Sequence, residues 1–344
     1  MFMSKIIFPA EWFPQSAVQL TWPHQGTDWA PVLDEVIPCF AEIAKEIMKH
    51  ETLLIVCPDE SEVRFQLGCV DESRVIFREM ETNDTWVRDH GGITIFENGT
   101  PKVLDFVFNG WGMKFAANHD NLITRRLFQS DTFDGNVEVI NMQPFVLEGG
   151  SIESDGRGTI LSTIKCLCSV NRNEYLNKVQ LEYRLKDMLG AERFLWLENG
   201  YLVGDDTDSH IDTLARFCDE NTIAYVKCED AMDEHFEELK AMEEELKTFR
   251  TIAGQPYQLI PLPMADEVVW KGERLPATYA NFLIINGAVL MPFYQSDKDA
   301  IARKILQTVF PDREVVGINC LPLIKQYGSL HCVTMQYPKN VIKN

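Results

Sequence analysis

Three short stretches of this 344-residue chain carry side chains able to make and break covalent bonds. Near the C-terminus, Gly328-Ser329-Leu330-His331-Cys332-Val333-Thr334 sets a cysteine after a Gly-Ser turn and at the head of a β-branched run. A thiol is a weak nucleophile near its free pKa of about 8.5; it attacks well when a cation or base favours the thiolate. Two earlier stretches hold such groups. In Gly204-Asp205-Asp206-Thr207-Asp208-Ser209-His210-Ile211-Asp212, His210 and Asp212 stand at i and i+2, which on an extended segment projects both to one side. In Trp86-Val87-Arg88-Asp89 an aromatic residue precedes a carboxylate by three positions. The chemistry these suggest is attack by Cys332 on a carbon, proton transfer by His210, and a cationic substrate held by Asp89 and Asp212. His331, adjacent to Cys332, would point to the opposite face of a strand and is not expected to be its base.

Each stretch also has a plainer reading. Cys332 could be a core cysteine on a strand. The stretch around His210 could be an acidic surface loop or a calcium loop. With Asp205 as the first EF-hand position, His210 falls sixth and Arg216 twelfth, where glycine and a bidentate glutamate are needed, so calcium is disfavoured. Asp89 is either a clamp for a planar cation stacked on Trp86 or the partner of Arg88 in a turn. In Leu147-Glu148-Gly149-Gly150-Ser151 a carboxylate ends an apolar run before two glycines, which allow close backbone approach. Glu148 is therefore either a further ligand-facing carboxylate or a loop residue. No GxGxxG, Walker A, HExxH or GxSxG motif occurs, and the seven histidines show no zinc spacing with the cysteines. No metal and no organic cofactor is expected.

The elements that must position these residues belong to a soluble globular chain, 45% apolar and 24% charged. A net charge of −20 repels nucleic acid and anionic membrane and suits a small cationic partner. The nine cysteines form no framework, and Cys166-Leu167-Cys168 is one residue too tight for a CxxC pair, as in a reducing compartment. With no signal peptide and no apolar run of membrane-spanning length, the cytoplasm is the expected location. Apolar spacing predicts helices over about 29–49 (interrupted at Pro38), 172–189 (capped by Asn171 and Glu174, ended by Gly190), 231–249 (a stripe from Met232 to Phe249) and 297–309 (capped by Ser296, with Ile301, Ile305 and Val309 inward). Short strands lie between them, the last at His331–Met335. Several strands, then a helix, recur roughly every 60–70 residues without sequence identity. That pattern predicts one α/β domain over 1–344, built from weak repeats about an axis rather than as a doubly wound sheet.

Taken together, Trp86-Val87-Arg88-Asp89-His90-Gly91, Phe108-Asn109-Gly110-Trp111-Gly112, Leu147-Glu148-Gly149-Gly150, the 204–212 stretch and Leu330-His331-Cys332-Val333-Thr334 resemble the agmatine/peptidylarginine deiminase family of guanidino-modifying enzymes. The match runs from Thr21-Trp22-Pro23-His24 to Gln336-Tyr337-Pro338, in the family's order. The resemblance implies a pentein-type α/β propeller of five ββαβ-like units around a pseudo-fivefold axis. It implies Cys332 as nucleophile, His210 as acid/base, Asp89 and Asp212 as guanidinium clamps, and Glu148 as a further active-site carboxylate. Trp86, Trp111 and Asn281 are implied to bind substrate. The activity implied is hydrolysis of agmatine to N-carbamoylputrescine and ammonia through a covalent thiouronium on cysteine, on the way from arginine to putrescine, in a homodimer that needs no cofactor. The alternatives are a deiminase of free or peptidyl arginine and a non-catalytic polyamine-binding propeller. Two departures stand out: Ser209 replaces the family's usual glycine, and Tyr327-Gly328-Ser329-Leu330 replaces a more glycine-rich segment.

Overall fold

The computed structural model describes residues 5–343. Five of its sheets share one plan, an antiparallel pair followed by a parallel strand. Ile93–Glu97 pairs with Thr100–Val107, and that strand with Glu138–Val146. Ile152–Ser154 pairs with Thr159–Thr163, then Arg193–Leu197. Ala215–Asp219 pairs with Thr222–Lys227, then Gln258–Pro263. Leu283–Ile285 pairs with Ala288–Phe293, then Glu314–Asn319. The fifth sheet joins the two ends of the chain: Thr334–Pro338 lies antiparallel to Gln15–Thr21, which pairs in parallel with Thr52–Cys57. A parallel step needs a crossover. The five crossovers contain the helices Ile123–Gln129, Lys178–Leu189, Phe236–Thr248, Asp299–Val309 and Leu33–Met48. Edge strands Ile6–Ile7 and Val75–Glu79 extend the first and last of these sheets. Among the described residues no helix is long and apolar enough to cross a membrane.

Local chemistry explains most boundaries. The hairpin Ile93–Glu97/Thr100–Val107 closes through Asn98-Gly99, both at positive φ, as a tight two-residue turn requires. In Leu33–Met48 the stripe Val36, Phe40, Ile43 and Ile47 is buried, and Pro38 leaves the helix undivided. Pro38 is exposed, so the carbonyl it frees can face water. The helix expected from 172 begins at Lys178, with Asn177 and Gln180 forming the capping box, and ends at Gly190 with φ +68°. Residues before it are drawn elsewhere: Arg172 bonds Glu148, and the Asn173 side chain bonds the backbone of Val146. Met232 precedes the helix Phe236–Thr248 and is exposed. Ile301 is also exposed; Ala302 and Leu306 bury the inner face of Asp299–Val309, whose N-cap residue is Lys298.

The chemistry-bearing residues sit in turns at strand ends. Asp89 lies in the one-turn helix Val87–His90, and Glu148 directly precedes the 3-10 turn Gly149–Ser151. His210 caps the 3-10 turn Ile211–Thr213 that holds Asp212. The C-terminal strand starts at Thr334, so His331 and Cys332 occupy the turn before it rather than the strand. Thr334 N–H and its hydroxyl both bond the His331 carbonyl, closing that turn.

Candidate active site

Cys332 and Asp89 lie in a narrow cleft with Trp86 and Trp111 that opens to solvent. The Cys332 sulfur stands 3.9 Å from Asp212 Oδ2 and 3.4 Å from Asn281 Oδ1. Burial, then the Asp212 and Asp89 carboxylates, push its thiol well above its ordinary range. The sulfur therefore rests protonated in the free protein. Arg88 N–H donates to the Cys332 carbonyl at 3.2 Å, tying the cysteine turn to the helix that carries Asp89.

The two clamp candidates are held differently. Asp89 Oδ1 accepts the Gly150 N–H at 3.0 Å, and Oδ2 accepts the Trp111 indole N–H at 2.9 Å. Both donors are neutral, and burial raises the Asp89 carboxyl against the pull of His210. Asp212 Oδ2 stands 2.7 Å from His331 Nδ1, and Oδ1 is buried with no hydrogen-bond partner. Against burial, the His331 bond and charge hold Asp212 below the usual carboxylate range. A buried acceptor left without a donor costs about 1–3 kcal/mol, and Oδ1 can accept an N–H.

His210 lies between two carboxylates. Its Nδ1 is 3.6 Å from Asp89 Oδ1 and its Nε2 3.5 Å from Glu148 Oε2. Burial opposes a charge on this ring, yet its pKa stands well above the ordinary histidine value. Asp89 and Glu148 carry that effect, because burial also raises the neighbouring Cys166 thiol and keeps it neutral. Glu148 is itself kept ionised, against burial, by the ring and by Arg172 Nε at 2.7 Å. Gly150 threads the centre: a Cβ there would lie 2.6 Å from His210 Nδ1, 2.8 Å from Asp89 Oδ1 and 3.1 Å from Asp212 Oδ2.

Cys332, His210, Asp89, Asp212 and Glu148 thus come together, with Trp86 and Trp111 as aromatic walls. Asn281, like His210, Asp212 and Glu148, is not among the residues that border the cleft itself; its Oδ1 lies 3.4 Å from the Cys332 sulfur. Its side-chain carbonyl accepts the His331 N–H at 2.9 Å, and its amide donates to the Asp212 carbonyl at 3.2 Å, so it joins the two turns. His210 and Asp212 meet through a 3-10 turn, not an extended segment. Ser209 has φ +66°, a conformation that favours glycine, and its N–H is fixed by Asp205 Oδ2 at 2.7 Å. Gly328 lies against Trp86, where a Cβ would fall 2.1 Å from the ring.

Sequence reasoning passed over Arg172, Cys166 and Glu11. Arg172 also bonds Asp208 Oδ2 at 2.6 Å and the Thr207 carbonyl at 2.8 Å, coupling Glu148 to the 204–209 loop. Glu11 is the lone acid among the first 27 residues, a signal that was available.

Farther out, the cleft is bordered by Asp28, Asp84, Asp205 and Asp206, and no lysine or arginine lines it among the described residues. Burial and Asp120 push Asp84 up to about 7, and burial and Asp205 push Asp206 up to about 6. Lys114, bonded to the Asp206 carbonyl and 3.2 Å from Asp208 Oδ1, opposes the rise at Asp206 from outside the cleft.

A family model for Porphyromonas-type peptidyl-arginine deiminases matches residues 7–338. A crystal structure of a Porphyromonas gingivalis protein, provisionally described as an arginine deiminase, is 57% identical with TM-score 0.96, covering 98% of this chain and 100% of that one. The substrate-bound agmatine deiminase of C. jejuni, a cysteine-to-serine variant, is 40% identical with TM-score 0.92, covering 98% of each chain. The agmatine deiminase of Stutzerimonas stutzeri is 31% identical, covering 97% of this chain and 96% of that protein. With nearly its whole length matched, the chain belongs to the Porphyromonas-type peptidyl-arginine deiminase family.

Proposed function

We propose that this chain is a hydrolase that converts agmatine to N-carbamoylputrescine and ammonia through a thiouronium on Cys332. One observation carries the reading: Cys332 lies beside two carboxylates, one with a buried oxygen that accepts no hydrogen bond, at a cleft bordered by acids and aromatics with no lysine or arginine among the described residues that line it. A guanidinium is planar, with five N–H donors and a delocalised charge. Asp212 Oδ1 accepts one edge, Asp89 the other, and Trp86 and Trp111 supply π faces. The bound cation offsets the two carboxylates that keep Cys332 protonated, so the thiol loses its proton to solvent as substrate enters.

The thiolate adds to the guanidinium carbon. His210, an imidazolium at rest, gives its proton to a leaving nitrogen, and ammonia departs. The thiouronium stays on sulfur. His210, now neutral, takes a proton from water; the hydroxide adds to the carbon, the C–S bond breaks, and the hydroxyl proton leaves to solvent. The products are a ureido compound and free Cys332. Glu148, locked by Arg172, holds the His210 ring. Asn281 positions the cysteine turn.

Agmatine fits better than free arginine. The α-carboxylate of arginine would meet Asp28, Asp84, Asp205 and Asp206, whereas the distal ammonium of agmatine is attracted to them and brings no anion. Other deiminases in the matched family, including those named for arginine, make free and peptidyl arginine the comparison substrates. The five like sheets support a single 1–344 domain closed as a five-unit propeller, with the site where their loops converge. The product would lie on a route from arginine to putrescine.

The test is ureido-product formation with millimolar agmatine, free arginine and a blocked peptidyl-arginine, without added metal. Agmatine turnover lost in Cys332→Ala supports the proposal. Turnover by Cys332→Ala would remove the covalent scheme, and preference for either arginine substrate would remove the substrate assignment.

A further inference from the structure

Beneath Cys332 lies a buried ring that these steps do not use. His331 is 1% exposed, with Nδ1 2.7 Å from Asp212 Oδ2 and Nε2 2.7 Å from Glu11 Oε2. A neutral imidazole has one N–H. Carboxylate oxygens at hydrogen-bond distance from both nitrogens therefore call for two N–H groups on the ring, or a proton on a carboxyl. Glu11 Oε1 also accepts the Ile284 N–H at 2.7 Å, so both of its oxygens are engaged as acceptors, as in a carboxylate.

The surrounding charges agree. Glu11 accepts from Arg216 Nη2 at 2.7 Å. Glu153 pairs with Arg216 Nε and accepts the Phe217 N–H at 3.2 Å, so both its oxygens are engaged as in a carboxylate, although burial raises it. Arg88 donates through Nε to the His331 carbonyl at 3.4 Å. Asp212, Glu11 and Glu153 face Arg216 and Arg88, which leaves one negative charge for a protonated His331 to cancel. Cys332 and His210 are further titratable neighbours on the Asp212 side: Asp212 Oδ2, bonded to the ring, is also the oxygen 3.9 Å from the sulfur, and the His210 charge also acts on Asp212.

We infer that His331 is a positioning residue kept as an imidazolium. It fixes Asp212 by one oxygen so that the other is free for substrate, and it sets a buried positive charge beside the Cys332 thiolate. The inference rests on the deiminase reading for its role, but not for its protonation. Its neighbour relation to Cys332 matters because a turn, unlike a strand, lets consecutive side chains serve one site.

Two variants and one spectrum test it. His331→Asn keeps an N–H for Asp212 without charge. Glu11→Gln, on the far side of the ring from Cys332, keeps its shape but removes the carboxylate that secures the second proton. In both, the midpoint of Cys332 alkylation by iodoacetamide against pH should rise by about one pH unit, or about tenfold less thiolate at a fixed lower pH. For agmatine, kcat should fall at least about tenfold while KM changes less than about threefold, since the charge acts on the nucleophile. An unchanged alkylation midpoint in a folded variant overturns the inference. Nitrogen-15 NMR of histidine-labelled wild-type protein at pH 8 decides it even if neither variant folds: His331 should show two protonated ring nitrogens, and a neutral ring overturns the inference. If wild-type protein leaves agmatine untouched, the substrate reading fails, while alkylation and NMR still judge His331.

Discussion

Gly150 offers the sharpest test of the site's geometry. An alanine there is permitted by the backbone, because its φ is not in the left-handed region. Its methyl is not permitted by the neighbours: it would fall 2.6 Å from His210 Nδ1 and 2.8 Å from Asp89 Oδ1, closer than a Cβ approaches any heavy atom. The ring and carboxylate are fixed from behind by Glu148 and Trp111, so they must retreat together by about half an ångström to one ångström. Misplacement on the order of 1 Å costs about 10²-fold in rate, equivalent to about 2.7 kcal/mol in the barrier. Overpacking adds about 1–3 kcal/mol of lost stability, enough to lower Tm by several degrees without unfolding the protein at 25 °C. The assay is kcat/KM for agmatine with a thermal scan, and Gly135→Ala, which meets open space, is the control. Gly150→Ala within about threefold of wild type would refute the claim that His210, Asp89 and Asp212 converge on one small volume.

Other perturbations separate the roles further. Arg172→Gln strips Glu148 of its buried partner; breaking such a pair costs about 3–5 kcal/mol, and Arg172→Lys should not restore activity because one ammonium cannot serve Glu148, Asp208 and Thr207 at once. Full activity in the lysine variant would sink that account. In the free protein Cys332 should react slowly with iodoacetamide at pH 7 and faster as pH rises, since its thiol is raised, while a cationic haloacetamidine should react faster at pH 7; equal rates would show that the carboxylates do not recruit cations. Glu51 is an acid buried away from the site and pushed up to about 8 by burial. The folded state keeps its proton after the unfolded chain has lost it, so stability is fullest below the ordinary carboxyl value and falls as pH rises toward 8. Glu51→Gln should therefore match wild type at pH 5 and exceed it at pH 9 by up to about 4 kcal/mol. A difference independent of pH would contradict the assignment.

The candidate site residues Cys332, His210, Asp89, Asp212 and Glu148 were legible because each sits in a short polar or glycine-bearing stretch that breaks the apolar pattern. The groups that hold them were not, because their partners are far away in sequence. Arg172 reaches Glu148 across 24 residues, and Glu11 reaches His331 across 320. The same distance explains the misplaced helix start: Asn171 and Glu174 form a sound local cap, but Arg172 and Asn173 are needed elsewhere, and the chain starts its helix one box later. The repeat of strands and helices was readable, whereas the number of like sheets was not, since one of them is assembled from both chain ends.

Asp89 and Asp212 show what a string of letters leaves out. Both were read as guanidinium clamps, and as letters they are equivalent. Neutral N–H groups from Gly150 and Trp111 hold Asp89, so burial raises its carboxyl; the His331 ring holds Asp212, which stays below the usual carboxylate range with one oxygen that accepts no hydrogen bond. On the proposed mechanism an incoming guanidinium would gain most from Asp212, whose Oδ2 is 3.9 Å from the sulfur, and its charge would arrive where the thiolate is to form. Asp89, raised by burial and 3.6 Å from His210, is a carboxylate whose charge would respond if that ring gives up its proton. Asp212→Asn should therefore weaken substrate binding and activation of Cys332 together, whereas Asp89→Asn should shift the pH dependence of proton transfer. KM and pH–rate profiles that respond identically to the two substitutions would show the clamps to be interchangeable after all.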